Sequence, residues 1–221
     1  MTTEMELAAV ACALAAAVVS LILTPIVRSV ARRVGLTDRP DGHRKLHRAP
    51  TSLGGGVAVF LSASVVLSGV ILVNSRWNLT IPGDRADMLA LGIACSGMVL
   101  LGLVDDRIGL RGRHKLLGQL LLVGILIWSG FVIRSVNLFG YQIEFGLLAW
   151  PATAFWLLGA INAMNLLDGI DGLATTLGMI IMITIGILAA LTGHPAVALI
   201  AWVFAGSLLG FLRYNFPPAT I

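Results

Sequence analysis

A chain of 221 residues with 57% hydrophobic and only 12% charged side chains has too few polar groups to coat a soluble globule, and its mean hydropathy is +0.93. The surface is therefore expected to face lipid. A net charge of +4 would suggest nucleic acid in a soluble protein, but here the cations cluster beside apolar runs, so membrane topology explains them first and no nucleic acid partner is expected.

Apolar runs long enough to cross about 30 Å of hydrocarbon, roughly 20 helical residues, recur along the chain. Seven spans are predicted, at 5–27, 54–73, 88–104, 116–133, 147–164, 173–191 and 196–212. The expected fold is all-α: a polytopic transmembrane helical bundle, one domain over residues 1–221, without internal repeat. Glu4 and Glu6 stand at the start of the first run, and Arg28, Arg32 and Arg33 follow it. That charge order argues for a retained helix with its N-terminus outside rather than a cleaved signal. Twelve of the fifteen Lys and Arg then lie inside, leaving only Arg76, Arg85 and Arg134 outside. Trp77, Trp128 and Trp150 fall near the outer interface, where an indole's apolar body and N–H are both accommodated. Between the fourth and fifth spans, Arg134 to Gly146 alternates polar and apolar residues around Phe139-Gly140-Tyr141, which predicts a short outer hairpin. Cys12 and Cys95 stand alone in apolar runs, so neither a disulfide nor a zinc site is expected.

Three polar clusters fall at the inner ends of these spans. The first runs from Thr37 through Asp38-Arg39-Pro40, Lys45, His47 and Pro50 to Gly54-Gly55-Gly56. It fits a basic topology determinant with turn-forming Pro and Gly; it also fits an anion site, where Lys and Arg attract phosphate and Gly lets N–H groups approach. The second holds Asp105-Asp106, then Arg107, Arg111, Arg113, His114 and Lys115. The acid pair can simply be salt-bridged to Arg107 or Arg111. Alternatively, adjacent carboxylates at the end of an apolar span point to metal or proton handling, with Lys115 able to hold a phosphate. The third is Asn162-Ala163-Met164-Asn165-Leu166-Leu167-Asp168-Gly169-Ile170-Asp171-Gly172. Asn162 and Asn165 share a helix face, and Gly169 and Gly172 break the helix. Capping by Asp168 or Asp171 accounts for one aspartate, whereas the whole set of hard oxygens suits Mg²⁺. His194, in a short turn, is read as structural.

In order and in residues, these clusters resemble the polyprenyl-phosphate N-acetylhexosamine-1-phosphate transferases. Asp38-Arg39-Pro40 through His47, Pro50 and Gly54-Gly55 is similar to that family's first cytoplasmic loop. Gly102-Leu103-Val104-Asp105-Asp106 with Lys115-Leu116-Leu117-Gly118-Gln119 is similar to its aspartate-pair motif, and the Asn162–Leu173 stretch is the most specific match. The resemblance implies transfer of N-acetylhexosamine 1-phosphate, foremost the N-acetylglucosamine compound, from a UDP-sugar to undecaprenyl or another polyprenyl phosphate. UMP would be released and a cell-envelope glycan begun. It implies Mg²⁺, or Mn²⁺ in its place, membrane lipid and a possible second copy of the chain as partners, and a site on the cytoplasmic face of the bacterial inner membrane. Asn165 is then the metal ligand and Asp105, Asp106 and Lys115 the catalytic groups, while Lys45, His47, Asp168 and Asp171 touch the nucleotide-sugar. Family members carry more helices, and Arg213-Tyr214-Asn215-Phe216-Pro217-Pro218-Ala219 resembles the run before a further metal-binding aspartate. The chain is thus expected to be the N-terminal two-thirds of the family's domain. The competing classes are a secondary transporter, whose ion sites lie near the midplane between repeated halves, and a non-catalytic membrane scaffold.

Overall fold

The computed structural model describes residues 3–38, 51–73 and 85–221. Among the described residues there are seven long helices: α1 (Thr3–Arg33), α2 (Gly55–Val73), α3 (Arg85–Ile108), α4 (Gly112–Trp128), α5 (Ala149–Leu167), α6 (Leu173–Leu191) and α7 (Pro195–Asn215). Each contains one of the predicted spans or most of it. Six have the length and apolar composition to cross a membrane. The other, α4, has 17 residues and is about 26 Å long. Two short antiparallel ladders accompany the helices. Strands β1 (Thr37–Asp38) and β2 (Thr51–Ser52) tie together the two ends of the first polar loop. Strands β3 (Ser135–Leu138) and β4 (Tyr141–Glu144) form the expected hairpin. Its two-residue loop is Phe139-Gly140, both at positive φ, +52° and +87°. That is the backbone of a turn whose twist matches the flanking strands.

The chain divides into two compact units: residues 1–82 with 167–221, and residues 83–166. In the first, α1 packs lengthwise on α7, around a cluster of Ala9, Cys12, Ala16, Ala63, Leu199 and Val203. Small residues make this approach possible. A methyl group at Gly206 would run into the Ala13 carbonyl oxygen, and one at Gly210 into that of Ala17. This is a Gly-xxx-Gly face laid against a neighbouring backbone, a packing that suits lipid, where apolar burial alone does not favour helix association.

One turn further along, Pro25 interrupts the ladder of α1 and leaves the Leu21 carbonyl without its helical N–H. The Tyr214 hydroxyl from α7 donates to that oxygen at 3.0 Å, replacing the lost bond. Ala13 with Gly206, Ala17 with Gly210 and Leu21 with Tyr214 keep one constant offset of 193 positions, so α1 and α7 run parallel.

In the second unit α3 and α4 form an antiparallel pair. Their close approach is made at Gly97, against Leu122, and at Gly118, against Leu101. The Thr153 hydroxyl of α5 accepts the Ile133 N–H at 2.9 Å and fastens the base of the hairpin.

Candidate functional site

The second cluster assembles at one end of the second unit. Asp105 lies in the last turn of α3, where the helix ends at Gly109 (φ +63°). One carboxylate oxygen accepts the Leu110 N–H at 3.0 Å and holds the turn; the other meets the Lys115 ammonium at 2.6 Å. The same ammonium donates to the Asn165 side-chain oxygen, from α5, at 2.9 Å. Lys115 thus joins the ends of three helices. Two of its three hydrogens are engaged among the described residues, leaving one donor for a ligand. Of the open alternatives, the structure pairs Asp105 with Lys115, ten residues on, rather than with Arg107 or Arg111. Asp106 is exposed on the same turn and has a polar or electrostatic contact of its own.

A second bridge lies one turn deeper. The Asn162 amide donates to the Gln119 side-chain oxygen at 2.9 Å and to the Leu158 carbonyl at 2.8 Å. Gln119 is 1% exposed. Lys115 and Gln119 are four residues apart on α4, and Asn162 and Asn165 three apart on α5. The antiparallel helices are therefore joined by two successive rungs. Sequence reading placed both asparagines on one face but gave Gln119 no task. The available signal was a second polar residue one turn along from Lys115, inside an apolar helix.

Charge reinforces the cluster. Arg113, His114 and Lys115 occupy the first turn of α4 with Arg111 at its cap; that turn has no acidic residue of its own, and Asp105 from α3 pairs with Lys115. Cations at the positive end of a helix dipole add to its field rather than offset it, which favours an anion.

The third cluster continues into the first unit. The helix break falls at the two glycines, and the N-cap of α6 is Gly172 itself, at φ +73°. The N-cap position is thus taken by a glycine rather than by either aspartate. Instead Asp171 accepts the Ala219 N–H at 2.9 Å and fastens the stretch after α7. There Asn215 accepts from the Thr175 hydroxyl at 2.7 Å and donates to the Ile221 carbonyl. Asp168 retains an exposed face, yet desolvation of its carboxyl raises its pKa above the ordinary value.

Of the first cluster, Lys45 and His47 lie outside the described residues. Its flanks are held by β1 and β2 and by the Arg32 side chain, which donates to the Ser52 hydroxyl at 3.2 Å. Gly55 has a packing reason: a methyl group there would strike the Phe211 ring. Asp105 and Asn165 offer hard oxygens of the kind Mg²⁺ takes. Among the described residues no three His, Cys, Asp or Glu gather in a metal-binding group, so a cation here would draw most of its shell from water and substrate oxygens.

Six apolar helices of membrane-spanning length, with a lysine, a carboxylate and an amide meeting where α3, α4 and α5 end or begin, define a polytopic helical membrane protein with a polar site at helix ends. The sequence profile of glycosyl transferase family 4 matches residues 88–221, and the chain belongs to that family. It is 34% identical to a probable undecaprenyl-phosphate N-acetylglucosaminyl 1-phosphate transferase of Bacillus subtilis, over 91% of this chain and 54% of the relative. It is 36% identical to a phospho-N-acetylmuramoyl-pentapeptide-transferase of Moorella thermoacetica, over 93% of this chain and 67% of the relative. A protein of the latter name from Clostridium perfringens is 32% identical, over 92% and 65%. The chain thus spans between about half and two-thirds of the length of these relatives.

Proposed function

We propose that this chain serves the transfer of N-acetylhexosamine 1-phosphate, with N-acetylglucosamine as the sugar, from a UDP-sugar to undecaprenyl phosphate. A lipid-phosphate oxygen attacks the sugar-bearing phosphorus. The bond from that phosphorus to the bridging oxygen breaks, and UMP leaves with the electron pair. The observation that carries this reading is the Asp105–Lys115–Asn165 junction beside the cationic start of α4. The name of the Bacillus subtilis relative supports undecaprenyl phosphate as acceptor and N-acetylglucosamine 1-phosphate as the group moved.

A phosphate's second pKa is near 6, so the lipid phosphate is already mostly ionised at neutral pH and needs positioning more than a base. Lys115 supplies a fixed positive charge for an oxygen of the pyrophosphate. Asp105 holds that ammonium, and Asp106 faces the acceptor phosphate. Asn165 and Asp105 are the groups that would hold Mg²⁺, which when bound neutralises charge between the two phosphates. Asp168, Asp171, Lys45 and His47 remain proposed contacts to the nucleotide-sugar. The twelve-to-three distribution of cations supports a cytoplasmic site with the N-terminus outside, in the bacterial inner membrane. Such a site lets a water-soluble UDP-sugar meet a lipid held in the bilayer.

The test is UMP release by the full-length protein from UDP-N-acetylglucosamine, with undecaprenyl phosphate and Mg²⁺. Asp105→Asn, Lys115→Ala and Asn165→Ala are each expected to lower turnover by about a hundredfold or more, with membrane insertion unchanged. Wild-type protein that releases no UMP, or near-normal turnover in all three variants, overturns the reading.

A further inference from the structure

The end of the second unit away from Lys115 is built around the β3–β4 hairpin, between the end of α4 at Trp128 and the span that begins at Gly146. The hairpin therefore stands where two apolar helices leave the hydrocarbon. Its surface is apolar and open: Phe139 and Leu147 are 98% exposed and Trp128 86%, with Tyr141 and Trp150 also exposed. In water such a patch would be a liability. At head-group depth, amphipathic rings find both an apolar and a wet side.

Within this belt lies a cavity of about 310 Å³ whose wall includes Arg134, Ser135, Glu144 and Trp150. Strand register brings the first three together. Ser135 faces Glu144 across the ladder, and the Phe145 N–H is bonded to the Arg134 carbonyl at 2.9 Å. Arg134 and Glu144 thus bring opposite charges to one cavity. Among the described residues, neither side chain is joined to the other or to a third group by an ion pair or hydrogen bond. Two opposite charges that do not satisfy each other complement a ligand bearing both. A purely anionic group would meet Arg134 but be repelled by Glu144, and a simple cation the reverse. At this depth in a bilayer, the abundant molecules with a linked anion and cation are phospholipids.

We propose that this cavity binds the zwitterionic head group of a membrane phospholipid carrying a primary ammonium, of the phosphatidylethanolamine type. The Arg134 fork donates to the phosphodiester, helped by the Ser135 hydroxyl. Glu144 accepts from the ammonium, and the Trp150 ring flanks the head group as its acyl chains enter the apolar layer. The inference rests on the hairpin end alone and does not depend on the transferase reading.

Native mass spectrometry of the full-length protein, released from nanodiscs of equal phosphatidylethanolamine and phosphatidylglycerol, tests it. Wild type is expected to retain the ethanolamine lipid at least fivefold over the glycerol lipid, and Arg134→Lys to keep that preference. Arg134→Ala should abolish retention. Glu144→Gln, which removes only the negative charge, should invert the preference towards phosphatidylglycerol while leaving UMP release unchanged. Wild type without a preference, or a Glu144→Gln protein that keeps the wild-type preference, overturns the proposal. Displacement of the lipid by millimolar inorganic phosphate would also overturn it, because the cavity would then be a site for a soluble anion.

Discussion

The two units hold their helices together by different means. In the first, 56% of the apolar window of α7 and 33% of that of α1 are buried, against 17% for α2 and α6; in the second, α3 and α5 each bury 11%. The first unit relies on backbones brought into contact along Gly206 and Gly210, and its polar bonds repair the interruption at Pro25 and fasten the stretch after α7. In the second, α3 and α4 also approach at glycines, but α5 meets α4 through polar rungs at one end. In lipid both strategies are available, because packing and interhelical hydrogen bonds replace the hydrophobic drive of water. The rigid seam lies where no chemistry is proposed. The polar junction, where groups must also face a substrate, is the less densely packed region.

The largest expected effect on stability lies in the tight seam. Gly206→Leu or Gly210→Leu should force α7 off α1 and cost about 3 kcal/mol or more, read as a large fall in the thermal midpoint in detergent. Alanine at either position should already lower it. If both leucine variants keep the wild-type midpoint, the contrast between the units is lost.

A smaller effect is expected at the deeper rung. A double-mutant cycle on Gln119→Leu and Asn162→Leu should give a coupling of roughly 0.6 to 1.7 kcal/mol, the range for hydrogen bonds between membrane helices. If the rung sets the register of α4 on α5, Gln119→Leu should also slow UMP release by more than its loss of stability accounts for. Equal losses would make the rung merely structural.

The smallest effect concerns a single repair. Tyr214→Phe should cost about 1 kcal/mol in the Pro25 protein. In a Pro25→Ala background it should cost less, since a helical N–H again meets the Leu21 carbonyl. Equal costs in both backgrounds would show that the hydroxyl does not compensate for the proline.

The helices were legible in the sequence because length and hydropathy decide what spans a bilayer. Their ends were less so. Helix α1 continues to Arg33 rather than stopping near residue 27, and α3 reaches Ile108 rather than 104. In both, the added turns carry charged residues that a hydropathy reading assigns to a loop, although backbone hydrogen bonds continue through them. Phe139-Gly140 announced the hairpin through local turn chemistry. Asp105, Lys115 and Asn165 were legible as residues because polar groups in apolar helices stand out. Their pairing was not, since Lys115 and Asn165 are 50 positions apart and only the seating of one helix on another makes them neighbours. Gln119 went unassigned for the same reason. The role of Asp171 in fastening residue 219 was equally out of reach, because it depends on the path of the chain after α7.

The tyrosine that repairs α1 has a consequence for biogenesis. During synthesis α1 is made well before α7, carrying a proline that vacates the Leu21 carbonyl, and the hydroxyl that serves that carbonyl lies 193 residues downstream of it. Until α7 has been inserted, the Leu21 oxygen has to be served by water drawn into the bilayer, by a transient neighbour or by the insertion machinery. The completion of α1 therefore waits on α7. Ribosome-bound intermediates that stop short of Tyr214 should hold α1 in a looser, more hydrated state than the completed chain does.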